Sequence, residues 1–192
     1  MTEPEEGYRV PVHIVDVPSE VEKIPGYCVV TCTYMVLRYY EKRGLLSESS
    51  KPLPKYDDFR GRFGSYVGTL GLPPNKLHDY LSAAVPKEHL KVQHKTGNMV
   101  SLEYHIRNKT PIIPIFDYLM YQQSTPSKAT HATLLTGYTA ENFYTNDPIH
   151  GKRYPYEKPK FVEAWAQRSN KYILITPKGA TLNSYLTQTS GC

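Results

Sequence analysis

The chain has 192 residues, of which 40% are hydrophobic, and this composition suffices for one domain around one core. The formal net charge of +5 comes from scattered Lys and Arg, whereas a nucleic-acid groove needs a dense basic patch. No stretch approaches the ~18–20 apolar residues of a membrane span, and the acidic start MTEPEEGYRV is unlike a secretory signal. The 3 cysteines form no disulfide framework, so we expect a reducing, cytoplasmic location.

The first predicted elements are an edge strand and a helix. Residues 1–24 form an N-terminal approach segment, whose run VPVHIVDV is compatible with an edge strand because Pro11 disfavours a central one. Helical spacing then predicts a helix from Cys28 to about Arg43, ended by Gly44. Its apolar face consists of Cys28, Cys32, Met35, Val36 and Tyr39.

The remaining elements alternate between helices and strands. A long loop over 45–72, which could border a cleft beside Cys28, leads to a second helix in NKLHDYLSAAV. Next come a strand around HLKVQH, a helix around VSLEYHIRN, a buried strand PIIPIF, strands ATLLTGY and NFYTND, a helix KPKFVEAWAQR and a strand KYILITP. Residues 178–192 read as a polar tail, so the predicted domain is α+β and spans 25–177.

His131 is distinguished from the other histidines by its place in the predicted hairpin. It opens the first strand, and Asp147 ends the second, so the two side chains should be neighbours at one rim of the sheet. A carboxylate beside one imidazole nitrogen fixes the ring and frees the other nitrogen to act on a nucleophile. The other histidines are expected at the surface or in loops: His13, His78, His94, His105 and His150.

Cys28 is the better candidate for a reactive thiol. It lies in the first turn of its helix, where unpaired N–H groups and the helix dipole favour a thiolate. Cys32 lies one turn deeper on the apolar face and is expected to be a core residue, as is Trp165 on the last helix. Local pattern alone leaves three interpretations open: a Cys–His–Asp triad, a structural histidine with an ordinary turn, and a metal site from Cys28, Cys32 and His131.

Two blocks of the sequence resemble the bacteriocin-processing peptidase-like family, a branch of the papain-like cysteine peptidases. The segment PGYCVVTCTYMVLRYYEKRG resembles its nucleophile helix, with the register kept at Cys28, Met35, Val36, Leu37, Tyr39 and Tyr40. The segment THATLLTGYTAENFYTNDPIHG is similar to its histidine hairpin, at His131, Gly137, Tyr138, Tyr144, Asn146, Asp147 and Pro148. Weaker similarity in LEYHIRNKTPIIPIF and WAQRSNKYILITP extends the resemblance over roughly 27–177.

The resemblance implies a papain-like fold, with an N-terminal nucleophile helix packed on an antiparallel sheet. It also implies that Cys28 is the nucleophile, His131 the general base and acid, and Asp147 the residue that orients His131. The expected activity is hydrolysis of a peptide or amide bond in a peptide or protein substrate. No cofactor, metal, nucleic acid or membrane span is expected; any role linked to a transporter would need a separate partner, and the oligomeric state is left open.

Two departures from the family pattern concern the surroundings of Cys28. Val29 and Val30 replace the usual Gly-Pro after the cysteine. Glu22 takes the oxyanion-hole position, where the family carries Gln, and no Gln precedes Gln93. An ionised carboxylate there would repel a developing oxyanion, and loss of one donor typically costs on the order of 10²–10³ in rate. The substitutes available are a protonated Glu22 and the side chains of Lys23, Tyr27 and His13.

These departures keep alternative functions open. Acyl or peptidyl transfer to an amine or thiol is possible on the same scaffold, and the residues do not distinguish it from hydrolysis. A non-catalytic binding module with the same fold is the other alternative, and the missing upstream amide is the reason to consider it.

Overall fold

The structure is a computed structural model that describes residues 13–46, 52–64, 67, 71–72, 79–81, 84–86 and 89–178. Its longest helix, α1, spans Cys28–Lys42, which confirms the predicted nucleophile helix. Gly44 follows with φ +65°, a left-handed conformation that glycine adopts readily, and the helix ends there. The helix is buried along most of its length and forms one side of the hydrophobic core.

The second layer is one antiparallel sheet with strand order β2-β8-β3-β5-β6-β7, to which β1 adds beside β5 and β4 beside β3. The strands are β1 His13–Ile14, β2 Leu90–Thr96, β3 Ile112–Asp117, β4 Thr130–Ala132, β5 Leu134–Tyr138, β6 Asn142–Asp147, β7 Gly151–Glu157 and β8 Lys171–Pro177. The predicted strands around HLKVQH, PIIPIF, NFYTND and KYILITP are therefore confirmed, as is the α+β class. The strand predicted to open at His131 and run through ATLLTGY is divided at Thr133 into β4, which pairs with β3, and β5, which pairs with β6.

The shorter described helices are α2 Tyr56–Gly61, α3 Met99–Arg107, α4 Tyr118–Gln123 and α5 Lys158–Ala166. Local chemistry explains where α3 and α4 begin. Asn98 and Ser101 form a reciprocal capping box at the start of α3, and the Asp117 side chain accepts the Met120 N–H at the start of α4. Because these caps satisfy otherwise unpaired N–H groups, each helix can start directly after a strand or turn.

Several predictions about individual segments were wrong. The loop predicted over 45–72 contains α2, and neither α4 nor β7 was predicted. His105, expected at the surface, is 8% exposed, and its Nε2 lies 3.2 Å from the Tyr172 hydroxyl. Most of the predicted NKLHDYLSAAV helix, His78 and residues 179–192 of the predicted tail lie outside the described residues.

The core between α1 and the sheet fixes the position of the helix. The Tyr40 hydroxyl donates to the Ile175 carbonyl oxygen of β8 at 2.8 Å, and the Cys32 thiol lies 3.6 Å from the Ala132 carbonyl oxygen of β4. Trp165 is fully buried and its Nε1 donates to the Lys171 carbonyl oxygen, so it is a core anchor as predicted. Among the described residues, no helix has the length and apolar character needed to cross a membrane.

Candidate active site

Cys28 lies at the N-terminus of α1, directly after a tight turn at Gly26. Gly26 has φ +92°, and a Cβ on it would lie 3.3 Å from the Cα of Gly71. The predicted 45–72 segment thus borders the approach to the helix at Gly71. Tyr27 gives α1 no side-chain cap, so the first N–H groups stay available near Cys28, which is partly exposed.

The structure places His131 and Asp147 side by side, although they lie on strands that do not pair with each other. His131 lies on β4 opposite Phe116 of β3, and Asp147 is the last residue of β6. Their side chains are buried, and Nε2 of His131 is 2.8 Å from Oδ2 of Asp147. The rings of Phe116 and Tyr118 pack edge-on against the imidazole at centroid distances of 5.5 and 5.2 Å, and this packing restricts its rotation.

Asp147 is held by donors from three directions. Besides His131, the Tyr156 hydroxyl donates to Oδ2 at 2.8 Å, and the backbone N–H groups of Ile149 and His150 donate to Oδ1 at 2.8 and 3.1 Å. Burial acts to raise the pKa of Asp147, but its hydrogen bond and charge attraction with His131, aided by Tyr156, hold that pKa below its usual range. The carboxylate is therefore ionised at neutral pH.

The Cys28 side chain also acts on the imidazole, through hydrogen bonding and negative charge that raise the pKa of His131. Because Nε2 of His131 faces Asp147, Nδ1 is the nitrogen left for the thiol. Burial acts to lower the pKa of His131, but hydrogen bonds and negative charge from Asp147 and Cys28 raise it overall. The environment thus favours the imidazolium form of His131, and Cys28, His131 and Asp147 form one connected cluster.

Cys32 does not join this cluster. It is fully buried, and burial first, with the negative charge of Cys28 and Asp147 adding to it, raises its pKa well above the ordinary value. A neutral buried thiol is a poor nucleophile and a poor metal ligand. In the described part of the chain, no group of three or more His, Cys, Asp or Glu side chains is arranged to hold a metal ion.

Glu22 lies close to the cluster, at the position where the resemblance expects the family glutamine. Its backbone N–H donates to the Pro148 carbonyl oxygen at 2.8 Å, which ties it to the turn that follows Asp147. Its carboxyl group accepts the backbone N–H of Tyr27, directly before Cys28. Burial raises its pKa, the positive charge of His131 opposes that rise, and the charge of Asp147 adds to it.

Tyr156 is the site contact that sequence reasoning missed. It lies on β7, which pairs with β6 and follows the Asn-Asp-Pro turn. The alternating tyrosines of RYPYE are a strand signal, but Pro155 between them argues against one. Since β7 is at the end of the sheet order, it tolerates the proline, and Tyr154 and Tyr156 keep strand spacing.

Comparison with known proteins identifies the family. The sequence model of the Peptidase C39-like family matches residues 14–173. The chain therefore belongs to the Peptidase C39-like family, whose members are cysteine peptidase-like hydrolases, and the resemblance found in the sequence is confirmed. No curated protein matches the sequence significantly.

Solved structures that share the fold include three proteases or peptidase domains. A putative C39-like peptidase from Bacillus anthracis has TM-score 0.62 and 16% identity, with coverage of 88% of this chain and 98% of that one. A double glycine motif protease from an AMS/PCAT transporter, in complex with the leader peptide, has TM-score 0.58 and 17% identity, covering 87% and 96%. The peptidase domain of Streptococcus ComA, a bifunctional ABC transporter of a quorum-sensing pathway, has TM-score 0.56 and 14% identity, covering 85% and 99%. The papain-like fold class is thereby confirmed.

Proposed function

We propose that the protein is a cysteine peptidase, or a related thiol hydrolase, that cleaves a peptide or amide bond through Cys28, His131 and Asp147. The observation that carries this proposal is the buried 2.8 Å contact between His131 and Asp147, with the other imidazole nitrogen left for the Cys28 thiol. An ionised carboxylate behind the ring keeps the imidazole in one orientation and stabilises its protonated form.

The reaction follows from the protonation states that this cluster favours. The Cys28 thiolate attacks the carbonyl carbon, the Sγ–C bond forms, and the carbonyl electron pair moves onto oxygen. When the intermediate collapses, the imidazolium of His131 gives its proton to the leaving amine and a thioester remains. His131, now neutral, then takes a proton from water as that water attacks the thioester, and the acid product leaves with Cys28 regenerated.

The substrate class proposed is a peptide or protein. One structural neighbour is a double glycine motif protease in complex with a leader peptide. A peptide library that includes Gly-Gly sites is therefore the first substrate set to test.

Cysteine substitutions test the proposal directly. We expect Cys28→Ala to abolish cleavage of the library, because it removes the nucleophile. We expect Cys32→Ala to retain cleavage, because its thiol is buried and neutral. Mass spectrometry of the new peptide termini measures both effects, and urea unfolding of each variant checks that it folds. Cleavage that survives in Cys28→Ala would disprove the assigned nucleophile.

Glu22 favours a second candidate, a binding module without turnover. A carboxylate at this position, if ionised, opposes the negative charge that develops on the substrate oxygen. This candidate predicts that Gly-Gly peptides bind in a calorimetric titration and are not cleaved. Binding without cleavage, combined with an ordinary unactivated Cys28 thiol, would favour it over the hydrolase.

A further inference from the structure

The carboxyl group of Glu22 has an oxygen that the fold leaves unused. Glu22 Oε2 is buried and has no hydrogen-bond partner among the described residues. A buried polar atom without a partner costs about 1–3 kcal/mol, so such atoms are rare unless a function retains them. The carboxyl group that carries this oxygen interacts electrostatically with His131 and Asp147, and the backbone N–H of Tyr27, directly before Cys28, favours its ionised form.

The other candidates for replacing the missing amide make contacts elsewhere. Lys23 Nζ binds Asp57 Oδ2 at 2.7 Å, and the His13 ring packs on Tyr138 at 5.0 Å. The ring of Tyr27 lies under the Arg60 guanidinium, and its hydroxyl lies beside Gly64. Of the four substitutes that the sequence offers, Glu22 is thus the one with a buried polar atom left unpaired and with charge coupling to His131 and Asp147.

Tyr56 is a further hydroxyl among the described residues near Glu22, and its proton is already committed. The Tyr56 and Thr31 hydroxyl oxygens are 2.6 Å apart, and the Thr31 hydroxyl donates to the Tyr27 carbonyl oxygen at 2.9 Å. Since Thr31 uses its proton on Tyr27, Tyr56 must be the donor to Thr31. It therefore has no proton left for a substrate oxygen.

We propose that Glu22 acts in its protonated form as the side-chain donor to the oxyanion, so that acylation of Cys28 is switched off when Glu22 ionises. This inference rests on the proposed function. As the Sγ–C bond forms and the carbonyl pair moves onto oxygen, the Glu22 O–H donates a hydrogen bond to that oxygen without transferring its proton. When the pair returns and the leaving group departs, the hydrogen bond is released.

The charges around Glu22 determine the pH at which its carboxyl group ionises and stops acting as a donor. His131 on β4 faces it as a cation, Asp147 on β6 as an anion, and Cys32 on α1 and Tyr56 on α2 as neutral groups. Burial favours the neutral carboxylic acid most strongly, and Asp147 adds to this, while His131 and the Tyr27 N–H favour the anion. The net effect raises the pKa of Glu22, which extends the range of the donor form upward in pH.

Two reagents separate this role from thiol activation. Iodoacetamide alkylates the Cys28 thiolate with no oxyanion, whereas p-nitrophenyl acetate acylates it through a tetrahedral oxyanion. The ratio of acylation to alkylation rates at Cys28, read by peptide-mapping mass spectrometry, isolates the oxyanion donor. Cys28→Ala gives the background for each reagent.

Three residues at position 22 give different expected profiles. In the wild type the ratio should fall on the order of 10²-fold as pH rises and Glu22 ionises. Glu22→Gln, a permanent donor, should keep the high ratio at every pH, and Glu22→Met, of similar size without a donor, should keep the low one. Retained alkylation in each variant shows that the site is folded.

The outcomes separate the two proposals. If all three proteins share one ratio and one pH profile while Cys28 alkylation depends on His131, Glu22 is not the donor and the hydrolase proposal stands. If alkylation follows an ordinary thiol profile and His131→Ala leaves it unchanged, the hydrolase proposal fails and this inference fails with it.

Discussion

Four hydrogen bonds hold the Asp147 carboxylate, from His131, Tyr156 and two backbone N–H groups of the following turn. Asp147 is fully buried, and these hydrogen bonds replace the water that would otherwise stabilise its negative charge. At the scale of single residues, the proposed chemistry depends on this carboxylate, because its negative charge stabilises the buried imidazolium of His131 beside Cys28.

Tyr156 provides the first test at this scale. Tyr156→Phe removes a hydrogen bond to a buried charged group, so the free energy of unfolding at pH 7 should fall by about 1.5–3 kcal/mol in urea denaturation. Because the pKa of Asp147 is lowered in the folded state, this stabilisation is present above the unfolded pKa of about 3.9 and lost as pH falls through the folded one. The effect of Tyr156→Phe should therefore shrink in strong acid.

Tyr121→Phe is the matched control. Tyr121 packs on Tyr156 at a centroid distance of 4.8 Å, but its hydroxyl accepts the exposed Glu157 N–H at 3.2 Å rather than contacting Asp147. It should cost about 1 kcal/mol or less. Equal losses in the two variants would mean that the Tyr156 hydroxyl contributes nothing specific to Asp147.

At the scale of elements, the site depends on the packing of α1 against β4. Cys32 contacts the Ala132 carbonyl oxygen next to His131, and it lies one turn below Cys28. The same contact therefore lies between the helix that carries Cys28 and the strand that carries His131.

Helix α3 carries a titratable group that should make the fold sensitive to acid. Burial, and secondarily the charge of Lys95, lower the pKa of His105 from 6.5 to about 4. Below pH 6.5 the unfolded chain binds a proton that the folded one excludes, so stability is present above pH 6.5 and lost as pH falls towards 4. We expect a loss of about 2 kcal/mol between pH 7 and pH 5 from this group.

His105→Gln tests that expectation, because an amide can still bond the Tyr172 hydroxyl and does not titrate. The free energy of unfolding, measured by urea denaturation at pH 7 and pH 5, should fall less in His105→Gln than in the wild type. A variant that loses as much stability as the wild type over this interval would show that His105 does not govern it.

Elements were predictable from the sequence where their pattern was long or regular. The apolar face of α1 follows helical spacing, and β5 and β6 come from short runs of buried residues joined by a turn; both are confirmed. The helices α2 and α4, with 6 residues each, are too short to show a period, so they were missed. β7 was missed because Pro155 argues against a central strand, and the sequence alone does not show that this strand lies at the edge of the sheet, where proline is tolerated.

At the scale of the whole molecule, the candidate site joins two distant parts of the chain. Glu22 and Cys28 lie close together in the sequence at the approach to α1, whereas His131 and Asp147 come from the sheet. The hairpin register predicted that His131 and Asp147 would be neighbours, and they are 2.8 Å apart. The partners Tyr156 and Pro148, and the burial of the Glu22 carboxyl group, were not predictable, because they depend on how the layers pack.

The central claim, that His131 activates Cys28, is tested most directly by the pH dependence of Cys28 alkylation by iodoacetamide. Wild type is compared with His131→Ala, and His150→Ala serves as control because His150 is an exposed neighbour that binds the Tyr118 hydroxyl. If His131 activates Cys28, alkylation of Cys28 in the wild type persists well below pH 8.5. Its rate at pH 6 falls on the order of 10–100-fold in His131→Ala and is unchanged in His150→Ala. An ordinary thiol profile, the same in all three proteins, would contradict it.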